Sequence, residues 1–129
     1  MLNDNTELLK KLCFLENEAT AFGFKWETAE QIMAQIRSEL VEIEVHLKDQ
    51  DRHKLQDEIG DLLHAAFSLC IFCQFDAEET LAKSIIKFES RFRETQQLAK
   101  IEGFNDLTGQ PFEKLMELWN KAKAIKRQP

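Results

Sequence analysis

The chain is expected to be all-α, an antiparallel bundle of about five helices. Three observations predict it. Helix breakers are scarce, with 4 Gly and 2 Pro among 129 residues, a composition suited to helices rather than turns and strands. Apolar residues recur at helical spacing in five segments. The connections between those segments are short, which favours antiparallel neighbours.

The first helix is expected over about 5–22, with Leu8, Leu9, Leu12, Leu15 and Ala19 on one face. The stretch "GFKWE" ends it. Thr28 followed by Gln31 has the pattern of a capping box at the start of the second helix, where each side chain satisfies the other's free backbone N–H. Ala29, Ile32, Ile36, Leu40, Ile43 and Leu47 then form an apolar stripe. The polar turn "KDQDRHK" leads into a third helix over about 54–74, with Leu55, Ile59, Leu62, Ala66, Cys70 and Cys73 as its inner face. Asp76 with Glu79 reads as the cap of a fourth helix reaching Ile101, which carries Leu81, Ile85, Phe88, Phe92 and Thr95 on one side. The segment "EGFNDLTGQP" is a loop by composition, with the length and polarity of a mobile lid. Pro111 fits the first turn of a last helix over 111–126. All 129 residues are read as one domain, with a helical hairpin at about 28–74.

Asp and Glu number 23 against 17 Lys and Arg, a net charge of −6. That balance disfavours binding to a nucleic acid polymer, which needs a basic face. No apolar run approaches the length of a membrane span, and "MLNDNTELLKK" lacks a signal-peptide pattern. A cytoplasmic protein without a membrane partner is expected. Cys13, Cys70 and Cys73 are read as buried core thiols in a reducing compartment, although "CIFC" has the spacing of a redox or metal pair.

The chemistry is concentrated in two pairs of acids. The second helix carries Glu39 and Glu42 in "ELVE", and the third carries Glu58 and Asp61 in "EIGD". Residues three apart share a helix face, so a hairpin can bring all four carboxylates around one point. Four close carboxylates repel unless they are protonated or neutralised by a cation. Oxygen ligands suit Mg²⁺, Mn²⁺ or Ca²⁺. Each pair alone also has the form of a solvated surface pair. Gly60, between Glu58 and Asp61, removes a side chain where a helix or ligand can approach. His46 and His64 are read as exposed or packing residues, because Asp-x-x-His and Glu-x-x-Glu do not supply the Glu-x-x-His pairs of a di-iron bundle.

These motifs resemble the MazG family of all-α nucleoside triphosphate pyrophosphohydrolases. Besides "ELVE" and "EIGD", "GFKW" looks like the family's Gly-Phe-Asp-Trp, and "DEIGDLLHAAF" like its Glu-x-Gly-Asp-Leu-Leu-Phe signature. "KFESRFRE" is similar to its Lys-Phe-Glu-x-Arg-Phe segment, and "LMELWNKAK" to the Trp-x-x-x-Lys of its last helix. The similarity covers nearly the whole chain, which most resembles the second half of the two-domain bacterial members, standing alone. The resemblance implies Mg²⁺-dependent hydrolysis of a nucleoside triphosphate to monophosphate and pyrophosphate, with Mn²⁺ as a substitute, in clearing the nucleotide pool. It implies Glu39, Glu42, Glu58 and Asp61 as metal ligands, with Glu39 and Glu42 the first candidates for general base. Lys87 and Arg91 match positions that meet the phosphates and assist catalysis. Trp119 and Lys123 match positions near the nucleotide. A homodimer or homotetramer that completes the bundle is implied as well. On residue type alone, Lys87 and Arg91 read as solvated partners of Glu89 and Glu94, and Trp119 as core packing. Three departures stand out: Lys25 in place of Asp, His64 in place of Phe, and Ile85 where the family often has Asn. They keep open a non-catalytic module that binds nucleotide or a partner.

Overall fold

The computed structural model describes residues 7–126. It has five helices: α1 Leu8–Phe22, α2 Ala29–Asp49, α3 Arg52–Phe72, α4 Ala77–Ile101 and α5 Phe112–Lys126. No strand occurs among the described residues, so the all-α expectation holds. The expected start of the first helix at residue 5 lies outside the described residues. No single described helix is long and apolar enough to cross a membrane. Two compact units divide the chain, Met1–Thr80 and Leu81–Pro129.

In the first unit, α2 and α3 pack as a hairpin and α1 lies against α3. Helix α1 ends because Gly23 adopts a left-handed backbone (φ 96°), with its N–H on Thr20 O and the Phe24 N–H on Ala19 O. This is a C-terminal closure that glycine allows without steric cost. At the start of α2 the Thr28 hydroxyl accepts from the Gln31 N–H at 3.2 Å, and Gln31 Oε1 accepts from the Thr28 N–H at 3.2 Å. The capping box is therefore complete.

The turn between α2 and α3 is tighter than "KDQDRHK" suggested. Only Gln50 and Asp51 lie outside the helices. Gln50 takes a left-handed conformation (φ 61°), and Asp51 caps α3 by accepting from the Lys54 N–H at 3.1 Å. A short polar side chain at the N-cap satisfies a donor that the helix cannot.

The inward faces are rotated from the apolar stripes. On α2 the buried residues are Ile32, Glu39 and His46, while Leu40 and Leu47 are exposed. On α3 they are Leu55, Ala65 and Ser68, while Ile59 and Ala66 are exposed. The polar side chains on these inward faces find partners within α2, as Glu39 does with Gln35 and His46 with Asp49, or on another helix. Glu16 of α1, for instance, accepts from the Ser68 hydroxyl and sits 3.1 Å from His64 Nε2. The cysteines depart from the buried reading too: Cys13 and Cys70 are half-buried and Cys73 is exposed.

Asp76 caps α4 through the Glu79 N–H at 2.8 Å. Of the apolar face expected on α4 only Thr95 is buried, while Leu81, Ile85, Phe88 and Phe92 are exposed; Ala77 and Ala99 are buried near the helix's two ends. In the second unit Ala99, Leu118 and Ala122 are buried. The loop after α4 is tied to α5 at its first residue. Lys114 pairs with Glu102 and sits 5.7 Å from the Phe104 ring, and Lys121 lies 3.7 Å from Glu102. These contacts anchor the loop's start, where the sequence suggested a lid.

Candidate functional site

The hairpin brings the acids of α2 and α3 together in two overlapping groups. Carboxylate oxygens of Glu39, Glu58 and Asp61 lie within 4.8 Å of one another. A second group within the same distance joins Glu42, Glu58 and His46. Glu58 belongs to both. Glu42 therefore meets the cluster through Glu58 and His46, rather than forming one four-acid knot with Glu39 and Asp61.

Glu39 lies deepest, at 6% exposure. Its Oε1 accepts from Gln35 Nε2, one turn earlier on α2. Its Oε2 is buried and has no hydrogen-bond donor. A buried carboxylate oxygen without a partner costs free energy, and either a proton on a neighbouring carboxyl or a cation removes that cost. The Glu58 carboxyl is raised from 4.5 to about 6. A hydrogen bond shared with Glu39 is the largest cause, followed by burial and then by the negative charges of Glu39, Asp61 and Glu42. The donor set is thus short of positive charge, and its hard oxygens fit a divalent cation such as Mg²⁺.

His46 and its partner were not recognised as site residues from the sequence. The imidazole is buried, with Nδ1 3.1 Å from Asp49 Oδ2. The other carboxylate oxygen, Asp49 Oδ1, accepts from the Asp51 N–H at 2.9 Å. That backbone donor holds Asp49 below its ordinary 3.8, against the opposing effect of burial, and His46 and Lys54 add to it. The available signal was spacing, since His46 follows Glu42 by four and precedes Asp49 by three.

The residues matched to the nucleotide belong to the second unit. Lys87 is exposed and Arg91 half-buried, one turn apart on α4. Glu89 pairs with Arg93 at 3.5 Å, and neither Lys87 nor Arg91 forms an ion pair among the described residues. Trp119 is half-buried, with its ring centroid 5.8 Å from that of Phe88 at a 42° tilt. Phe88 in turn stacks on Phe92 at 6.1 Å. Lys123, half-buried, follows Trp119 by one turn of α5. Gly60 is exposed, and a Cβ built there meets nothing within 4 Å. Among the described residues, then, nothing fills the gap it leaves.

Comparison with known proteins adds a separate finding. A family model described as the MazG nucleotide pyrophosphohydrolase domain matches residues 27–95. The chain is 35% identical over 109 residues to the nucleoside triphosphate pyrophosphohydrolase/pyrophosphatase MazG of Thermotoga maritima, covering 84% of this chain and 41% of that protein. It is 31% identical over 111 residues to the nucleoside triphosphate pyrophosphohydrolase of Escherichia coli K12, covering 84% of this chain and 42% of that one. It is also 36% identical over 75 residues to the uncharacterized protein YabN of Bacillus subtilis, covering 58% of this chain and 15% of YabN. The chain thus spans about two-fifths of the length of the first two relatives.

Proposed function

The chain belongs to the MazG nucleotide pyrophosphohydrolase domain family, and we propose on that premise that it hydrolyses nucleoside triphosphates to the monophosphate and pyrophosphate with Mg²⁺. The observation that carries this reading is the carboxylate group of α2 and α3, in which oxygens of Glu39, Glu58 and Asp61 converge within 4.8 Å and one oxygen of Glu39 is buried without a partner among the described residues. Glu39, Glu42, Glu58 and Asp61 would hold the cation. When bound, it supplies the charge neutralisation a triphosphate needs to approach these acids, together with polarisation of the phosphoryl oxygens and acidification of a water.

The chain's own residues do the rest. Glu39 or Glu42, whichever keeps an oxygen clear of the cation, accepts the proton of the attacking water. Lys87 and Arg91, which form no ion pair among the described residues, offset the charge that develops on the departing pyrophosphate. Trp119 offers a π-face to the base, and Lys123 contributes charge beside it. The site acts as a homodimer or homotetramer. Support comes from apolar side chains left exposed on the hairpin, including Leu47 at 59%, Ile59 at 42% and Leu63 at 56%, a surface that invites association. The role proposed is house-cleaning of the cytoplasmic nucleotide pool.

Pyrophosphate release from a panel of ribo- and deoxyribonucleoside triphosphates, with and without Mg²⁺, tests the reading. Metal-dependent release is expected from the wild-type chain and is lost in Glu39→Gln and Asp61→Asn. Nucleotide binding without release, by a folded chain, would replace the enzyme with a non-catalytic binding module.

A further inference from the structure

His46 lies on the inward face of α2 with Ile32 and Glu39, and its ring is buried. Asp49 Oδ2 lies 3.1 Å from Nδ1 and is its one hydrogen-bond partner among the described residues. An ionised carboxylate only accepts. That contact therefore places a proton on Nδ1 and leaves Nε2 as the nitrogen that can ligate a cation. The Asp49 carboxylate is itself fixed from the other side, by the Asp51 N–H at 2.9 Å in the two-residue turn. A chain of contacts thus runs from the α2–α3 turn through Asp49 to the imidazole. A carboxylate that orients an imidazole in this way is the usual support of a metal-ligating histidine.

The remaining geometry points to the same place. A ring nitrogen of His46 lies within 4.8 Å of carboxylate oxygens from Glu42 and Glu58. Glu58 also belongs to the group that contains the buried, unpartnered Glu39 Oε2. We propose that His46 is a nitrogen ligand of the cation site, making it a mixed nitrogen and oxygen site that prefers Mn²⁺ to Mg²⁺. Imidazole suits transition metals, whereas Mg²⁺ selects oxygen. The proposal deepens the metal reading above and rests on it, and it adds a nitrogen donor to the carboxylates already assigned.

The test uses the full chain stripped of metal with a chelator. Mn²⁺ is titrated by electron paramagnetic resonance, and pulsed measurements then look for ¹⁴N coupling to the bound ion. Mg²⁺ affinity is measured alongside by calorimetry. Wild-type protein is expected to show imidazole ¹⁴N coupling that disappears in His46→Gln. Mn²⁺ affinity in that variant falls by about tenfold or more, with a smaller change for Mg²⁺. Asp49→Asn is expected to keep the coupling and weaken Mn²⁺ binding. The coupling is read on the wild-type chain, so it does not depend on a variant folding. Bound Mn²⁺ without ¹⁴N coupling, still lost in Glu39→Gln, overturns the histidine ligand and leaves the carboxylate site standing. Coupling that persists in His46→Gln also overturns it. No Mn²⁺ or Mg²⁺ binding by the folded chain overturns both readings.

Discussion

Glu39 and Glu58 face each other across the α2–α3 hairpin with carboxylate oxygens within 4.8 Å, and among the described residues no N–H or hydroxyl donates to the buried Oε2 of Glu39. Without a cation, the arrangement favours a proton on Glu58, whose carboxyl is raised to about 6 by the hydrogen bond it shares with Glu39. A group whose folded value is raised stabilises the protein fully below its unfolded value, and that contribution is lost as pH rises through the folded one. With chelator present, Glu58 should therefore favour folding below about 4.5 and cease to do so above about 6. Glu58→Gln carries no such dependence. Melting curves from pH 4.5 to 7.5 should show the wild-type chain losing ground to Glu58→Gln as pH rises. Mg²⁺ added at pH 7.5 should restore the wild type and leave the variant unmoved. Parallel pH profiles for the two chains would show that the pair does not share a proton.

Thr28 and Gln31 make a prediction that depends on nothing beyond the start of α2. The Thr28 hydroxyl satisfies the Gln31 N–H, and Gln31 Oε1 satisfies the N–H groups of Thr28 and Glu27, the latter at 2.8 Å. Thr28→Ala removes the hydroxyl half and should cost about 1 kcal/mol. Urea denaturation measures it, and Thr28→Ser should recover most of the loss. An unchanged midpoint in Thr28→Ala would mean the box is not formed in solution.

That contrast between local and distant partners explains what the sequence could convey. Thr28, Asp51 and Asp76 act on N–H groups three residues away, so spacing alone reveals the cap at Thr28 and at Asp76. The i, i+3 pairs Glu39–Glu42 and Glu58–Asp61 are legible for the same reason. The rotation of the buried faces is not. An apolar stripe through Leu55, Ile59 and Leu62 ignores Ser68, which turns inward because Glu16, 52 residues away, accepts its proton. His46 is a different case: its partner Asp49 is only three residues away, but its approach to Glu58 depends on how α3 packs against α2. Periodicity scores side-chain type, whereas a buried polar group such as Ser68 is decided by a partner that the local sequence does not contain.

Glu16 supplies the next test. It is the acceptor for the buried Ser68 hydroxyl and a neighbour of His64, and these contacts join α1 to α3. Glu16→Ala leaves the hydroxyl without that acceptor, which should cost about 1–3 kcal/mol. Hydrogen exchange should rise in α1 first, because the lost contact is what holds it. The double variant Glu16→Ala with Ser68→Ala should recover part of the loss, since both polar partners are then gone. Strict additivity of the two changes, with α1 exchange unaltered, would show that the contact does not dock the helix.

Gly60 separates the chain from its assembly. A Cβ there meets nothing within 4 Å, and glycine inside a helix is less favourable than alanine by about 0.5–1 kcal/mol. Gly60→Ala should therefore stabilise the chain by roughly that amount in urea denaturation, with sedimentation unchanged. The residue lies between Glu58 and Asp61 and beside exposed Ile59. If a second copy packs its helix into this gap, the added methyl meets it and the gain reverses. The loss would then deepen on dilution, because it falls on association rather than on the fold. A stabilised variant that sediments as the wild type does would place the contact between copies elsewhere on the hairpin, away from the turn of α3 that carries Glu58 and Asp61.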